Sequence, residues 1–98
     1  MNSHGKGSDR NAALYQALLT LKTPEECYAF FEDICTIKEF QSMAQRIVVA
    51  KMLDEKTVYS EIEEKTGASS VTISRVSRSL SFGKDGYRLV FDRMQNKE

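Results

Sequence analysis

Residues 57–80 read TVYSEIEEKTGASSVTISRVSRSL, and this stretch decides which fold the chain adopts. Thr57 can accept a hydrogen bond from a backbone N–H group at the start of a short helix, whose inward-facing residue is Ile62. Gly67 falls where that helix must end and the chain must turn sharply, because glycine adopts positive φ without steric cost. The pattern therefore predicts a short helix followed by a tight corner.

A second helix is predicted directly after this corner. Ser69 or Ser70 can cap its first turn. Ile73, Val76 and Leu80 follow at the spacing i, i+3 and i+7, which places them on one inward face. Two short helices joined by a glycine turn form a helix-turn-helix, in which the second helix is free to enter a DNA major groove.

The outward face of the second helix carries hydroxyl groups and arginines. It comprises Ser70, Thr72 or Ser74, Arg75 and Arg78. Small hydroxyl side chains allow close approach to bases and phosphates, and arginines supply charge-assisted hydrogen bonds to them. One departure from the usual motif is Glu63, at a position where a small residue is normal. A bulky side chain there loosens the helix packing unless it points into solvent.

The rest of the sequence predicts further helices and no strand. Apolar residues at helical spacing mark a first helix over residues 14–21. The sequence TPEE at residues 23–26 combines an N-cap threonine, a proline at the first helical position and a glutamate at N3, which is a capping box. A third helix follows a second capping box at residues 36–39, and a last helix follows Gly83 and Gly86.

These elements form one predicted all-α domain over residues 11–96, preceded by a flexible tail at residues 1–10. The third helix is apolar on more than one side, since Val49 and Leu53 widen the stripe that begins at Phe40. A helix that is apolar on two sides needs two partners. Either this helix is the centre of the core or it also forms a dimer interface, and both interpretations stay open.

The composition narrows the class of protein. The 98 residues have a formal net charge of zero, yet residues 65–88 hold five basic side chains and one acidic one, which favours a local contact surface. No apolar run is long enough to span a bilayer and no secretory leader is evident, so we expect a cytoplasmic protein without membrane association.

Cys27 and Cys35 would lie about 12 Å apart on one helix, too far for a disulfide, and we expect buried thiols.

Other functions are weighed against DNA binding. A helical dimer that binds another protein is the main alternative, favoured by the neutral net charge and by the acidic group Glu61, Glu63 and Glu64. We expect no enzyme, because the sequence has no paired carboxylates with a histidine, no phosphate-binding loop and no Cys/His pairing. We also predict no metal site and no cofactor, since there is no CxxC motif and the one histidine, His4, lies in the predicted tail.

Residues 67–80, GASSVTISRVSRSL, are similar to the pattern G-A-x-x-x-T-I-x-R-G-S-x-S-L of the Trp repressor superfamily. From about residue 12 to residue 94 the chain most resembles the YerC/YecD group of that superfamily. The resemblance implies six helices and an intertwined homodimer, in which the first three helices and the last one build a shared core. It also implies a bacterial transcriptional regulator of the repressor type, which binds a two-fold symmetric duplex DNA operator and is then associated with the nucleoid.

The resemblance further assigns contacts to the second helix of the motif. By motif position, the residues near base edges would be Ser69, Ser70, Val71, Thr72 and Ser74. The residues nearer to phosphates would be Arg75, Ser77 and Arg78.

The same resemblance raises the question of an effector. Repressors of this superfamily hold tryptophan between two arginines, which Arg46 and Arg75 match, and Ser79 completes the possible effector pocket. Val76 stands where the repressor pattern has glycine, and its branched side chain fills volume that an indole needs. We therefore expect a regulator that does not depend on tryptophan, with a repressor responsive to tryptophan or another small ligand as the alternative. In the first case Arg46 and Arg75 would pair with Glu39 or other carboxylates.

Overall fold

The fold consists of α-helices in a computed structural model that describes residues 5–96, with only the backbone described at residues 5–9. The six helices are α1 (Gly5–Leu18), α2 (Pro24–Ile34), α3 (Ile37–Asp54), α4 (Tyr59–Thr66), α5 (Ser70–Phe82) and α6 (Gly86–Gln95). No strand occurs among these residues, and the predicted six-helix, all-α architecture is confirmed. No helix in the described range has the length and apolar character needed to cross a membrane. The chain divides into two compact units, Met1–Thr36 and Ile37–Glu98.

The first helix begins earlier than the sequence pattern predicts. The pattern places a tail at residues 1–10, whereas the backbone is helical from Gly5 onwards. Residues 5–10, GKGSDR, contain two glycines and no apolar residue, so neither helix propensity nor hydrophobic spacing indicates a helix there. The remainder of the predicted tail, residues 1–4, lies outside the described residues.

The predicted capping box at the start of α2 is present with one difference. The Thr23 hydroxyl accepts the backbone N–H of Glu26 at 3.1 Å, and Pro24 occupies the first helical position. The Glu26 carboxylate accepts the backbone N–H of Lys22 at 2.8 Å, rather than that of Thr23. The two side chains together fix the path by which the chain enters α2.

Both cysteines carry free thiols, and neither thiol is buried. Cys27 on α2 is exposed, and Cys35 directly after α2 is half-buried. The prediction of buried thiols is wrong for this chain, because α2 buries none of its residues. Hydrophobic spacing shows which residues share one side of a helix, but it does not show whether the same chain covers that side.

The core of the second unit joins α3 to the helices that follow it. Its buried residues are Val49 and Ala50 of α3, Ile62 of α4, Ala68 between α4 and α5, Ile73 and Val76 of α5, and Phe91 of α6. Side chains that pack against this core from partly buried positions are Met52, Leu53, Leu80 and Tyr87. Fully burying a side chain of this size contributes about 1.5–3 kcal/mol of transfer free energy. α3 is therefore the support on which α4, α5 and α6 pack.

α3 and α6 each have a second apolar side that this chain leaves uncovered. On α3, Ile37 is 72% exposed and Val48 is 49% exposed, although the adjacent Val49 is fully buried. On α6, Leu89 is 50% exposed and Met94 is 58% exposed. The interpretation of α3 as a central core helix is correct for one of its sides, and the other side is open to a partner.

An ion pair connects α6 to the end of α3. The Arg88 guanidinium donates hydrogen bonds to both carboxylate oxygens of Asp54, and its Nη1 also lies 3.9 Å from the Asp92 carboxylate. These hydrogen bonds and the positive charge hold the pKa of Asp54 below its ordinary value of 3.8. A carboxylate whose pKa is lowered by folding stabilises the folded state above the pKa of the unfolded chain. That stabilisation is lost as the pH falls through the lower, folded-state pKa.

We predict that Arg88→Gln lowers the thermal unfolding temperature at neutral pH, because Asp54 loses its charged hydrogen-bond partner. The difference from the wild type should shrink as the pH falls through the lowered pKa of Asp54, where the carboxylate becomes protonated in both proteins. Arg93→Gln is the matched control, since Arg93 also lies on α6 but has no ion-pair partner among residues 10–96. Thermal denaturation followed by circular dichroism across this pH range measures the effect. A deficit of Arg88→Gln that does not change with pH would contradict the role given to Asp54.

Candidate nucleic-acid interface

The approach to the helix-turn-helix is fixed by the way α3 ends. Lys56 has a positive φ of 68°, and its backbone N–H donates to the Leu53 carbonyl at 2.9 Å. The Thr57 N–H donates to the Met52 carbonyl at 3.0 Å. This pair of hydrogen bonds is a Schellman motif, which closes a helix with a left-handed residue. Thr57 thus belongs to the termination of α3.

The prediction that Thr57 caps α4 is wrong, because α4 begins one residue later than predicted. The N-cap residue is Val58, which has an extended backbone and no side-chain cap hydrogen bond. The Val58 carbonyl accepts the N–H groups of Glu61 and Ile62, each at 3.1 Å, so backbone groups alone begin the helix. The motif therefore starts one residue later than the sequence pattern indicates.

The turn between α4 and α5 has the predicted glycine at its corner. Gly67 adopts φ +76° and ψ +4°, and its N–H donates to the Glu63 carbonyl at 2.9 Å. The Thr66 hydroxyl donates to the Ile62 carbonyl at 2.7 Å and accepts the N–H of Ala68 at 3.1 Å. Ala68, directly after this glycine, is buried. The turn therefore satisfies its own polar groups while it inserts a methyl group into the core.

A glutamine on α3 also holds this corner, and the sequence reasoning missed it. Gln45 Nε2 donates to the Thr66 carbonyl at 3.1 Å, which links the supporting helix to the end of α4. Gln45 lies one turn before the buried Val49, and this i, i+4 spacing is the signal that could have identified it. The neighbouring Arg46 is exposed instead.

The start of α5 is capped by Ser69 rather than Ser70, one of the two predicted options. The Ser69 hydroxyl accepts the N–H of Thr72 at 3.1 Å, and the two hydroxyl oxygens are 3.3 Å apart. Ile73 and Val76 are buried, as their predicted inward spacing requires, and Leu80 packs against the core from a half-buried position. The rotation of α5 about its axis is fixed by these contacts.

The opposite side of α5 forms an open groove of about 330 Å³. The residues that line it are Ser70, Val71, Ser74, Arg75 and Arg78. Of the other residues assigned to DNA contact, Ser69 is exposed but serves as the cap, and Thr72 and Ser77 are half-buried. The structure thus brings five of the eight predicted residues together on one surface.

The charges around this groove favour an anionic ligand. Neither Arg75 nor Arg78 has a hydrogen-bond or ion-pair partner within residues 10–96. On α4, Lys65 pairs with Glu61 at 3.0 Å, and Glu63 is exposed. The bulky Glu63 therefore does not disturb the packing of the two helices.

The residues predicted to form an effector pocket are separated in the structure. Val76 is 2% exposed and belongs to the core, while Arg75 lines the groove on the outer side of α5. Ser79 lines a different cavity of about 570 Å³, together with Ile47 of α3 and with Tyr87 and Val90 of α6. The predicted pairing of Arg46 and Arg75 with carboxylates does not occur in the described chain. Within residues 10–96 there is no cluster of three or more histidine, cysteine or acidic residues able to hold a metal ion.

An all-α fold with a tight α4–α5 corner and an outward face of hydroxyls and arginines defines a helix-turn-helix protein. The sequence matches the family described as Trp repressor protein over residues 10–95, and the chain belongs to this family. The resemblance found in residues 67–80 is confirmed. Proteins of the family are non-enzymatic regulators that bind DNA and are usually dimeric.

Individual relatives support the same assignment. The chain is 53% identical over 85 residues to the uncharacterized protein YerC of Bacillus subtilis (strain 168). The aligned region covers 87% of this chain and 82% of that protein. It is 39% identical over 61 residues to the Trp operon repressor homolog of Chlamydia caviae. That aligned region covers 61% of this chain and 60% of the relative. The crystal structure of a TrpR-like protein from Eubacterium eligens matches with a TM-score of 0.83 and 57% identity, covering 86% of this chain and 87% of that one.

We predict that Gly67→Ala lowers the free energy of unfolding by about 1–2 kcal/mol, the cost of holding a non-glycine residue at left-handed φ. An added Cβ would meet no heavy atom within 4 Å, so the destabilisation comes from the backbone conformation and not from a clash. Gly86→Ala is the matched control, because its Cβ also meets nothing within 4 Å but its φ is not positive. Chemical denaturation of both variants measures the difference. Equal stability of the two variants would contradict the role given to Gly67.

Proposed function

We propose that this protein is a sequence-specific DNA-binding transcriptional regulator, which acts as a homodimer and inserts α5 of each subunit into a major groove. The observation that carries the proposal is the groove lined by Ser70, Val71, Ser74, Arg75 and Arg78, in a chain that belongs to the Trp repressor family. Two of these side chains are arginines with no partner in the described chain, and the others are small enough for close approach to base edges.

The eight residues that the sequence analysis assigns to DNA contact have different roles in this proposal. Ser70, Val71 and Ser74 lie on the first turns of α5 and approach base edges, whereas Arg75 and Arg78 lie further along and reach phosphates. Ser69 contributes mainly through the cap that it forms with the N–H of Thr72, since this bond orients the N-terminal turn of α5. Free N–H groups at the start of that turn also attract a phosphate. Thr72 and Ser77 are half-buried and make secondary contacts.

We predict that duplexes selected from a random DNA pool by the wild-type protein are two-fold symmetric, with half-sites about 34 Å apart. Arg78→Ala should bind them more weakly and reduce the slope of log K against log salt concentration by about 0.9 for each phosphate that the arginine no longer neutralises. Lys22→Ala removes a charge of the same sign from an exposed position between α1 and α2, outside α5 and outside the apolar sides of α3 and α6, and should leave the slope unchanged. Fluorescence anisotropy titrations at several salt concentrations measure both quantities.

Three outcomes of this experiment oppose the proposal in different ways. Failure to enrich any duplex would reject DNA binding and would favour a dimer that binds another protein, through the exposed acidic residues of α4. Equal slopes for Arg78→Ala and Lys22→Ala would show that Arg78 is not at a phosphate. Specific binding that survives a change of half a helical turn in half-site spacing would contradict the paired arrangement of two α5 helices.

The homodimer is supported by the apolar surface that a single chain leaves uncovered. Ile37, Val48, Leu89 and Met94 are each at least 49% exposed, and Val90 lines the cavity of about 570 Å³ between α3, the end of α5 and α6. A chain of 98 residues buries a smaller fraction of its surface than a larger domain does, and oligomerisation adds to it. We propose that a second copy of the chain covers these sides of α3 and α6 in an intertwined dimer.

We predict that sedimentation at micromolar concentration gives twice the chain mass of 11.1 kDa. Val90→Glu should weaken the dimer, because it places a charge in an apolar contact without a partner. Val58→Glu is the control, since Val58 is 63% exposed but lies at the start of α4, away from the proposed interface. A well-folded wild-type monomer at this concentration would refute the dimer.

We further propose that DNA binding does not require tryptophan. Val76 is almost fully buried between Ile73 and the rest of the core, so its methyl groups occupy volume that an indole would need. The orientation of α5 is then maintained by packing against α3, together with the Gln45 hydrogen bond to the turn. No small ligand is needed to hold α5 in place.

We predict that calorimetric titration of tryptophan into the wild-type protein gives no saturable heat and that tryptophan leaves DNA affinity unchanged. Val76→Gly should lower the free energy of unfolding by about 1–3 kcal/mol, because it leaves a cavity in the core. Val71→Gly is the matched control on the same helix, since Val71 is 61% exposed and its removal leaves no cavity. Micromolar tryptophan binding by the wild type, accompanied by a gain in DNA affinity, would refute tryptophan independence.

A further inference from the structure

Val71 is an exposed valine among the serines and arginines that line the groove on α5. It is the second residue of α5 and is 61% exposed, whereas Ile73 and Val76 of the same helix are buried. The other side chains that line the groove belong to two serines and two arginines, so Val71 is the one fully apolar side chain in its lining. Val71 therefore contributes no packing to the core of this chain.

Helix propensity does not account for this valine either. β-Branched residues at exposed helical positions are less favourable than alanine, because they lose side-chain rotamers against the preceding turn. The buried Ile73 and Val76 fix the rotation of α5, so Val71 cannot turn inward without removing them from the core. The side chain is held outward at a position where the fold would be served as well by alanine.

The position of Val71 in the groove indicates what it meets on DNA. Ser74, Arg75 and Arg78 follow it at i+3, i+4 and i+7, so the four side chains form one stripe along the proposed contact surface. Val71 lies nearest the N-terminal end of α5. It is therefore the member of the stripe that first approaches the floor of the DNA major groove. Burying it there against polar base edges would be unfavourable.

The chemistry of α5 narrows the choice of base. The helix sequence SVTISRVSRSLSF contains no asparagine, glutamine, aspartate or glutamate, which are the residues that read adenine and cytosine by hydrogen bonds. The serine hydroxyls at positions 70 and 74 donate or accept equally well and so discriminate little between bases. The one apolar group that the major groove presents is the C5-methyl of thymine.

We propose that Val71 is a specificity-determining residue that packs against the C5-methyl group of a thymine in each half-site. This inference rests on the proposed function, since it requires α5 to enter the major groove. It adds a base identity and a named contact, which DNA binding alone does not specify. The selected operator then contains one thymine per half-site whose methyl group is recognised by shape and desolvation rather than by a hydrogen bond.

The test removes the methyl group from the DNA and the valine from the protein separately. A duplex selected from a random pool by the wild-type protein is resynthesised with deoxyuridine in place of thymidine, one symmetric pair of positions at a time. Uracil pairs with adenine as thymine does, so each substitution deletes only the methyl groups. Affinities are measured for the wild type, for Val71→Ala and for the control Val58→Ala, which alters an equally exposed valine outside α5. Thermal denaturation should show that Val71→Ala is at least as stable as the wild type.

For the wild type we expect one pair of positions at which uracil weakens binding by about fourfold per half-site, the effect of one methyl-sized apolar group. The two half-sites together give about sixteenfold. Val71→Ala should bind the thymine duplex more weakly, and uracil at the same pair should then change its affinity by less than about twofold, because the two changes remove the same contact. Val58→Ala should behave as the wild type.

The outcomes separate this inference from the proposed function. If a duplex is selected but no uracil position affects the wild type, the thymine contact is refuted while DNA binding stands. If uracil weakens Val71→Ala as much as the wild type, another residue reads the methyl group and the assignment to Val71 is wrong. If no duplex is selected at all, the proposed function fails and this inference fails with it.

Discussion

The packing of Ile62, Ala68 and Ile73 against Val49 of α3 is the constraint on which the rest of the unit Ile37–Glu98 depends. These four residues come from three helices and one turn, and each is buried. Two helices as short as α4 and α5 would be marginal alone, because most helical stability in proteins comes from tertiary packing. Contact with α3 supplies that packing, and it also sets the rotation of α5 that directs Val71, Ser74 and Arg75 outward. The position of the proposed contact surface is thus a consequence of the core.

The polar groups of the turn between α4 and α5 also depend on α3. The Thr66 hydroxyl, the Gly67 N–H and the Ser69 hydroxyl satisfy backbone groups within the turn, and Gln45 connects the turn to α3. A backbone group buried without a partner costs about 1–3 kcal/mol, so a corner with unpaired groups would not hold α5 at a fixed angle. Positive φ at Gly67 allows this pattern of bonds to form. Rigidity of the corner then reduces the ordering that DNA binding would otherwise require.

The features that the sequence predicts correctly are those set by local chemistry. Gly67 at the turn, a serine cap at one of the two candidates Ser69 and Ser70, and the burial of Ile73 and Val76 follow from backbone conformation and helical spacing. The errors arise where a longer-range partner decides. The cap assigned to Thr57 fails because α4 begins one residue later, after Val58, and the role of Gln45 depends on a residue that is 21 positions away. Burial of Cys27 fails because hydrophobic spacing does not show which chain covers a helix face.

The neutral net charge of the chain is compatible with DNA binding because the charges are distributed unevenly. Several basic side chains are occupied within the protein: Lys51 lies near Glu55, Lys65 near Glu61, and Arg88 binds Asp54. Arg75 and Arg78 have no such partner in the described chain, and both line the groove on α5. Screening confines the field of surface charges to about 10 Å at moderate salt, so a phosphate close to α5 responds to these two arginines more than to distant carboxylates. On the proposed function, affinity for phosphate is decided by the residues of this surface, and a neutral chain can bind DNA there without adhering to DNA elsewhere.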